Sequence, residues 1–350
     1  MGWPASDVEM LTTIGWLLGA FAITALLVRV AIVYARRRGM LDQPGQRRSH
    51  RLPTPRGGGI GIVVAMLVCL PGVAWQLQSA FPSPGLAGLL CLALALVALA
   101  GWWDDHRPLP IWPRLGAQLL ACALFCLGLQ AWLPHWWWLP LLLVAGAWSI
   151  NLHNFMDGID GLLAQQACFV GSGLALMAWA GGQGALALGA ACLAASALGF
   201  WCFNRPPARI FLGDVGSGSV GLLVFAFTAM LWRVEPAWLW PALILSSAFA
   251  VDASLTLLTR MWRGRRWYSA HREHLYQWLA RRAASHAGAD AAYLAWNLLV
   301  AAPLAWLAWS HLHAAWAITM VVYVGAAVMW LYLKRRLLRR PPNKALHVTA

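Results

Sequence analysis

The amino-acid sequence predicts an all-α polytopic membrane protein with about eleven transmembrane helices. Of its 350 residues, 61% are hydrophobic and 11% are charged, whereas soluble domains average roughly 45–50% and 25%. The apolar residues form runs of about 20, the length that crosses a bilayer core. Tryptophan clusters such as 102–103 and 136–138 lie at the ends of these runs, where aromatic rings favour the membrane interface. A soluble enzyme, a disordered chain and a disulfide-rich secreted domain are therefore excluded.

The expected spans follow one another along the whole chain. They cover residues 9–34, 58–79, 84–103, 115–133, 136–150, 160–180, 184–203, 214–232, 238–260, 289–310 and 313–334. The first run is too long for a signal-peptide core, and no cleavage pattern follows it, so it is expected to remain as a span. The seven cysteines all lie in apolar runs and are expected to be buried as small hydrophobic residues.

No break in composition marks a second domain. We therefore expect residues 1–350 to form one integral membrane domain, with the catalytic motifs within 36–280 and a basic cytoplasmic tail at 335–350.

The distribution of positive charge orients the chain in the membrane. Of the 26 lysines and arginines, 24 fall on one set of connections, with Arg260 and Lys334 counted in the connections that they adjoin. These connections are 35–57, 104–114, 151–159, 204–213, 261–288 and the C-terminal tail. The positive-inside rule places these connections in the cytoplasm. An odd number of spans then puts the N-terminus in the periplasm and the C-terminus in the cytoplasm. Anionic lipid headgroups account for the net charge of +14, so no nucleic-acid partner is expected.

Five of the twelve acidic residues lie at the cytoplasmic ends of spans. Asp104 and Asp105 close the third span, Asp157 and Asp160 lie between the fifth and sixth, and Asp214 opens the eighth. Carboxylates near lipid are costly and usually functional. A helix cap or an arginine pair would explain any one of them. All five on one face, with few cations nearby, favour a divalent-cation site such as Mg²⁺, which binds carboxylates together with substrate phosphates.

Two sequence strings surround these carboxylates. In N-L-H-N-F-M-D-G-I-D-G-L, residues 151–162, Asn151 and Asn154 are three apart and share a face if the fifth span is still helical there. In F-N-R-P-P-A-R-I-F-L-G-D-V-G-S, residues 203–217, two prolines prevent a helix through the loop that carries Asn204 and Arg209. Asp214 then stands at a helix start, where backbone N–H groups favour anions.

A third cluster reads H-R-E-H-L-Y-Q and contains His271, Arg272 and His274 beside several further arginines. The two histidines suit zinc, but no third ligand stands nearby in the sequence. We therefore expect a cationic, hydrogen-bonding surface for a diphosphate or a sugar. An amphipathic segment on the membrane surface is also compatible with this cluster. A fourth segment, residues 41–59, is either a loop at the mouth of the site or a basic segment that stops translocation.

Together, the double aspartate and these strings resemble the polyprenyl-phosphate N-acetylhexosamine-1-phosphate transferases of the glycosyltransferase family 4 type. The resemblance covers residues from about 36 to 280. It implies transfer of an N-acetylhexosamine 1-phosphate from a UDP-sugar to undecaprenyl phosphate, with release of UMP. The reaction would occur at the cytoplasmic face of the bacterial inner membrane with Mg²⁺, or Mn²⁺ as the alternative cation. Membrane lipids are further partners, and a homodimer is compatible with the resemblance.

The resemblance also implies roles for individual residues. Asp104 and Asp105 correspond to a catalytic acidic pair, Asn154 and Asp214 to metal ligands, and Arg114 to a cation that binds the diphosphate. The remaining matches are expected to contact substrate: Asn151, Asp157, Asp160, Asn204, Arg209, His271, Arg272 and His274.

The histidine cluster bears on the branch of the family. Its H-R-E-H string differs from the three-histidine string of the peptidoglycan enzyme, phospho-MurNAc-pentapeptide transferase, and is closer to enzymes that initiate O-antigen or lipopolysaccharide chains. The peptidoglycan branch remains the alternative. A secondary transporter or lipid flippase is the alternative from another class, although transporter sites usually lie near the bilayer midplane and often occur in repeats. Asp252, inside the ninth span, is the feature that favours a transporter.

Overall fold

A computed structural model describes residues 7–42, 53–77, 83–130, 135–265 and 271–338. Long helices dominate these residues and confirm the all-α class. The helices are α1 (Asp7–Arg38), α2 (Ile60–Gln76), α3 (Pro84–His106), α4 (Ile111–Gln130), α5 (Trp138–Phe155), α6 (Leu162–Ala180), α7 (Gly184–Asn204), α8 (Asp214–Val234), α9 (Leu239–Leu245), α10 (Ser247–Trp262), α11 (Leu275–Ala283), α12 (His286–Trp296), α13 (Ala302–Ser310) and α14 (Ala315–Leu338). Two short antiparallel strands, β1 (Leu41–Asp42) and β2 (Thr54–Pro55), pair Leu41 with Pro55.

Each of the eleven predicted spans contains a helix within its described residues, and the chain is a multi-pass membrane protein. Within the described residues, eight helices are long and apolar enough to cross a membrane, or nine if a bent pair is counted as one span. The number of full spans is thus smaller than predicted. Helix α2 has 17 residues, and the last turns of α5 carry Asn151, His153 and Asn154, which lower its hydropathy.

The predicted ninth span is not one continuous helix. Helices α9 and α10 meet at an angle of 76° around Ser246. The next connection is also more ordered than expected, because α11 lies inside the predicted loop 261–288. Small polar residues such as the serines at 246 and 247 often accompany helix kinks. The bend depends on packing that a hydropathy pattern does not report.

Helix α8 lies at the centre of the bundle. Between Val215 and Leu231 every residue except Thr228 is buried. Small residues allow its neighbours to approach closely, as is common between membrane helices. A Cβ atom on Gly221 would lie 2.7 Å from the Ile150 Cα of α5, and one on Gly101 of α3 would lie 2.4 Å from the Asp214 backbone oxygen. The ends of α3 and α5 therefore meet the start of α8.

The segment around β2 packs against the start of α8. The Phe211 N–H donates to the Pro55 carbonyl at 2.8 Å, and the Gly59 N–H donates to the Leu212 carbonyl at 2.8 Å. A Cβ atom on Gly59 would lie 2.2 Å from the Gly216 Cα, so only glycine fits there. The described part of the fourth segment thus lies beside the acidic residues, which favours its interpretation as a site loop. Residues 43–52 of that segment lie outside the described residues.

The seven cysteines are free thiols that are buried or half-buried, which confirms the prediction from their apolar surroundings. Of the predicted basic tail, residues 339–350 lie outside the part of the chain that the structure describes.

Candidate active site

The ends of α3, α5 and α8 bring three predicted site residues together. The Asn154 side-chain amide donates to Asp214 Oδ1 and, at 3.0 Å, to Ser217 Oγ. The side chains of Asp104 and Asp214 interact electrostatically. Arg114, in the first turn of α4, places its Nη1 2.8 Å from Asp104 Oδ2 and 4.0 Å from Asp214 Oδ2. Two carboxylates, one amide and one guanidinium thus form a compact group, the acidic cluster, made of Asp104, Arg114, Asn154 and Asp214.

The charges in this cluster are unbalanced. Two carboxylates at such short range repel each other unless a proton or a cation lies between them, and Arg114 supplies a single positive charge. Among the described residues, no three His, Cys, Asp or Glu side chains form a metal site by themselves. The Asn154 amide can present its oxygen to a cation when its side-chain amide group rotates by 180°. Two carboxylates, this oxygen and substrate phosphates match the ligands of Mg²⁺.

Asp105 differs from its neighbour Asp104 in its hydrogen-bond partners, which are backbone N–H groups of α8. Its Oδ1 accepts a hydrogen bond from the Asp214 N–H at 3.1 Å, and its Oδ2 accepts one from the Val215 N–H at 3.2 Å. Arg56 donates to the backbone carbonyl of Asp105 at 2.5 Å. Asp105 therefore caps α8, whose preceding residue, Gly213, has no side chain to do so. This geometry gives Asp105 a positioning role, while the chemical role expected for it stays a prediction.

Asp157 lies in the turn between α5 and α6, at the edge of the cluster. Burial, followed by the charges of Asp214, Asp105 and Asp160, holds the pKa of Asp157 well above its usual range. The turn reverses at Gly161, whose φ of +83° favours glycine. The predicted substrate contact Asp157 is thus near the metal-ligand candidates, in a region with an excess of negative charge.

Asp160 and Asn204 connect the start of α6 to the loop between α7 and α8. Asp160 Oδ2 accepts from the Ala208 N–H at 2.9 Å, and its Oδ1 lies 3.1 Å from His286 Nδ1. Asn204 Oδ1 accepts from the Gly161 N–H at 2.9 Å. Both side chains are buried. Their observed partners are protein groups, so their expected contact with substrate stays a prediction.

Asn151 faces Gln118 of α4, to whose Oε1 it donates at 2.7 Å. Gln118 lines a cavity of about 20 Å³ together with Arg114, Asn154 and Asp214. Asn151 thus supports one wall of the cavity through Gln118, a residue that sequence reasoning did not identify. Its position as a polar residue within the apolar run of α4 could have identified it as a candidate site residue.

Arg209 is exposed at the rim of the loop between α7 and α8. It donates to the Cys202 carbonyl at 3.1 Å, and its guanidinium lies 5.0 Å from the centre of the Phe203 ring. Its predicted contact with substrate is untested by this arrangement.

The histidine cluster lies against the C-terminal end of α5. The His274 ring stacks between Phe155, at 6.2 Å, and Tyr276, at 5.8 Å, and the His271 ring is 4.8 Å from it. Burial, reinforced by neighbouring positive charge, lowers the pKa of His271 to about 4. Burial also lowers the pKa of His274, against the opposing effect of the Asp252 carboxylate. Both imidazoles are therefore neutral at pH 7 and can accept or donate a hydrogen bond.

Tyr276 joins this cluster to the turn that carries Asp157. Its hydroxyl donates to the Phe155 carbonyl at 3.0 Å. A Cβ atom on Gly158 would lie 2.1 Å from the same hydroxyl, so the turn fits closely around the ring. Sequence reasoning missed Tyr276, because its partner lies 121 residues away along the chain.

Arginine side chains contact both Arg272 and Glu273. Burial alone would raise the pKa of Glu273, but Arg260 and Arg265 outweigh it and keep that pKa below its usual range. Arg281 donates to the Arg272 carbonyl at 2.9 Å. This hydrogen bond fixes the backbone at Arg272, the residue next to His271.

Comparison with known proteins identifies the family to which this arrangement belongs. Residues 87–232 match glycosyl transferase family 4. A protein of Halalkalibacterium halodurans is 30% identical over 238 residues, covering 60% of this chain and 72% of the relative. A protein of Moorella thermoacetica is 33% identical over 251 residues, covering 62% and 74%. The chain belongs to glycosyl transferase family 4. It is thus a phosphosugar transferase of the polyprenyl-phosphate type, as the motifs indicate.

The names of these family 4 relatives also indicate which branch of the family is most similar to this chain. A third relative, from Levilactobacillus brevis, is 29% identical over 268 residues, covering 69% of this chain and 81% of the relative. All three relatives are named phospho-N-acetylmuramoyl-pentapeptide-transferase. These names favour the peptidoglycan alternative over the O-antigen branch expected from the histidine cluster.

The feature of this family 4 transferase that favoured a transporter has a different explanation. Asp252 is 1% exposed and lies in α10. Its two carboxylate oxygens accept hydrogen bonds from protein groups of α10, α11, α12 and α14. A transport pathway is not needed to account for it.

Proposed function

We propose that the protein transfers a sugar 1-phosphate from a UDP-sugar to undecaprenyl phosphate in a Mg²⁺-dependent reaction. The observation that carries the proposal is the cluster of Asp104, Asp214 and Asn154 at the ends of three helices, with Arg114 beside it. A divalent cation and a diphosphate would balance the charges of such a cluster. Family membership supports the reaction class.

In the proposed reaction, an oxygen of the lipid phosphate attacks the β-phosphorus of the UDP-sugar. The bond between that phosphorus and the bridging oxygen breaks, and UMP leaves. Because two anions must approach, catalysis depends mainly on positioning and charge neutralisation. Bound Mg²⁺ would supply positive charge to the diphosphate, with Asp214 and Asn154 as its protein ligands. Arg114 is oriented by Asp104 and can contact a phosphate oxygen.

Asp104 is the better candidate for a proton acceptor within the acidic pair. Its Oδ1 accepts from the Leu109 N–H at 2.5 Å and its Oδ2 from Arg114, which fixes the carboxylate at the site. It would take the proton of a lipid phosphate monoester, whose second pKa is about 6 by analogy with phosphorylated side chains. Both oxygens of Asp105 are occupied by the start of α8. We assign Asp105 to holding Asp214 in place.

The donor has two candidates. The names of the relatives favour UDP-MurNAc-pentapeptide. A UDP-N-acetylhexosamine is the second candidate, because Arg272 and Glu273 occupy the part of the cluster where the peptidoglycan enzymes are expected to carry histidine. Under either candidate, Arg272 would form paired hydrogen bonds to a phosphate or sugar oxygen. Arg272→Lys should therefore lower kcat/KM by several-fold, since lysine offers only a point charge.

We place the site at the cytoplasmic face of the bacterial inner membrane, with a periplasmic N-terminus. Support comes from Arg36, Arg37 and Arg38, which end α1 on the side of the bundle where the positive-inside rule expects cations. The residues of the acidic cluster all come from one chain, so the proposed chemistry does not require a homodimer.

The proposal is tested by measuring which UDP-sugar the protein uses as phosphosugar donor. Purified protein is incubated with undecaprenyl phosphate, Mg²⁺ and, separately, UDP-MurNAc-pentapeptide and the UDP derivatives of GlcNAc, GalNAc, FucNAc and QuiNAc. We expect one donor to give UMP and a lipid diphosphate sugar in equal amounts. Glu235→Gln, which alters a carboxylate at the opposite end of α8, serves as the control and should retain activity. Failure of every donor, or UMP without a lipid product, would contradict the proposal.

A further inference from the structure

Asp252 is the most highly coordinated carboxylate among the described residues that lie outside the acidic cluster. Its Oδ1 accepts from the Leu275 N–H at 2.7 Å, Trp330 Nε1 at 2.9 Å and Thr256 Oγ1 at 3.2 Å, and its Oδ2 accepts from the Tyr293 hydroxyl at 2.7 Å and the Tyr276 N–H at 3.2 Å. His274 Nδ1 lies 4.0 Å from Oδ1. One side chain therefore binds groups from four helices.

The chemistry of this node indicates a role beyond packing. Burying a carboxylate is costly unless donors surround it, and a well-packed apolar residue is often no less stable. Two of the donors are the first backbone N–H groups of α11, where a negative charge interacts favourably with the helix dipole. Asp252 thus specifies where α11 begins and how it is oriented.

The first turn of α11 is connected to the active site through Tyr276. The Tyr276 hydroxyl donates to the Phe155 carbonyl at 3.0 Å and lies against Gly158. The residue before Gly158 is Asp157, whose carboxyl group interacts with that of Asp214. Three successive contacts thus lead from Asp252 to the turn at the edge of the acidic cluster.

We propose that Asp252 is a positioning residue for binding of the nucleotide-sugar donor. By holding the first turn of α11, it sets the distance between the histidine cluster, residues 271–274, and the turn that carries Asp157. The inference rests on the proposed function, because these two elements are the expected donor contacts. Asp252 itself touches neither substrate and takes no part in the phosphoryl transfer.

The test compares Asp252→Asn with a matched control. Trp296→Phe removes a part-buried 3.0 Å hydrogen bond from α12 to Ser247, which lies on the same helix as Asp252, and neither Asp252 nor a residue of α11 takes part in that bond. Asp252→Asn should raise the KM for the UDP-sugar by about tenfold, the effect expected from losing one hydrogen bond to a charged group. The KM for undecaprenyl phosphate should change less than about twofold by the same energy scale. Trp296→Phe should leave both KM values close to those of the wild type.

Tyr276→Phe provides a second variant that keeps the aromatic ring and removes only its hydroxyl contacts. It should also raise the donor KM. Because both substitutions act on one connection, the double variant should be no worse than the more severe single variant. Additive effects of the two substitutions would contradict the proposed path.

Hydrogen exchange gives a readout that does not depend on turnover. In Asp252→Asn, exchange should quicken at the amides of residues 275–276 and 156–161 and stay unchanged at 54–59. Unchanged exchange at 156–161, or an equal rise of both KM values that parallels loss of folded protein, would overturn the proposal. A wild-type protein that transfers no phosphosugar would refute the proposed function, while the exchange comparison would still decide whether Asp252 holds the turn.

Discussion

The adjacent residues Asp104 and Asp105 should differ in how the same substitution affects stability, although both variants should lose activity. Asp105 is 3% exposed, and both of its oxygens accept backbone N–H groups at the start of α8. Asp105→Asn keeps one acceptor but turns an NH₂ group toward the second N–H. The variant therefore loses one charge-assisted hydrogen bond, and its NH₂ group faces a backbone N–H group that is also a donor. Asp104→Asn keeps an acceptor for Leu109 and removes repulsion with Asp214.

The size of the difference follows from these contacts. A hydrogen bond to a charged group contributes roughly 1.5–3 kcal/mol, and loss of a helix N-cap costs about 0.5–2 kcal/mol. We expect Asp105→Asn to destabilise the protein by about 1–3 kcal/mol, inside the interval of roughly 0.5–3 kcal/mol that the two ranges cover together. Asp104→Asn should cost less than about 1 kcal/mol, because its lost contact is the ion pair with a part-exposed Arg114. It should nevertheless lower kcat by about 100-fold or more if a positioned base is lost.

The assay measures apparent Tm and turnover for both variants in one detergent. Asp105→Asn should lower Tm and activity together, whereas Asp104→Asn should lower activity with a Tm close to that of the wild type. Ser83→Ala is the control, because Ser83 caps the other end of α3 by accepting from the Leu86 N–H at 3.2 Å. It should lower Tm without affecting turnover. A wild-type Tm for Asp105→Asn, or wild-type turnover for Asp104→Asn, would refute the division of roles.

Three further predictions concern packing, pH and orientation. Gly59→Ala should lower the apparent Tm and the yield of folded protein, because its Cβ would lie 2.2 Å from the Gly216 Cα, and overpacking typically costs about 1–3 kcal/mol; an unchanged Tm would contradict this contact. Burial and neighbouring positive charge lower the pKa of His271 to about 4, so stability should fall as pH drops from about 6.5, where the unfolded imidazole gains its proton. The fall in Tm between pH 7.5 and pH 5 should be smaller in His271→Gln, and an equal fall would count against a buried neutral imidazole. Cysteines that replace Arg205 or Arg265 should react only with reagents supplied from the cytoplasm, and periplasmic labelling at either position would invert the proposed orientation.

Much of the fold could be predicted because hydropathy is a local property of the chain. Each long apolar run became a helix, and the polar residues at the ends of α3, α5 and α8 met as expected from their shared side of the membrane. The bend at Ser246 could not be predicted, since the run from 238 to 260 is apolar enough to be read as one span and the bend arises from packing. For the same reason, α11 was hidden in a stretch that composition alone describes as a basic loop.

The site was predictable in its residue types and less so in their roles. Asp104 and Asp105 are neighbours in one helix, and their side chains point about 100° apart, so the elements on either side decide which one faces the cavity. That information lies in α8, more than 100 residues later. Gln118 and Tyr276 were missed for a similar reason, because each acts through a partner distant in sequence.

The central claim is that Asp214, with Asn154, holds a Mg²⁺ ion that the reaction requires. The most direct test follows both turnover and the shift in apparent Tm as Mg²⁺ is added to metal-depleted wild-type protein and to Asp214→Asn. The wild type should regain activity and gain Tm as the cation binds, whereas Asp214→Asn should show almost no turnover and no Tm shift at any concentration, because an amide oxygen carries no net charge to hold the cation. If Asp214→Asn keeps the Mg²⁺ dependence of the wild type, Asp214 serves only to begin α8 and the proposed metal site is wrong.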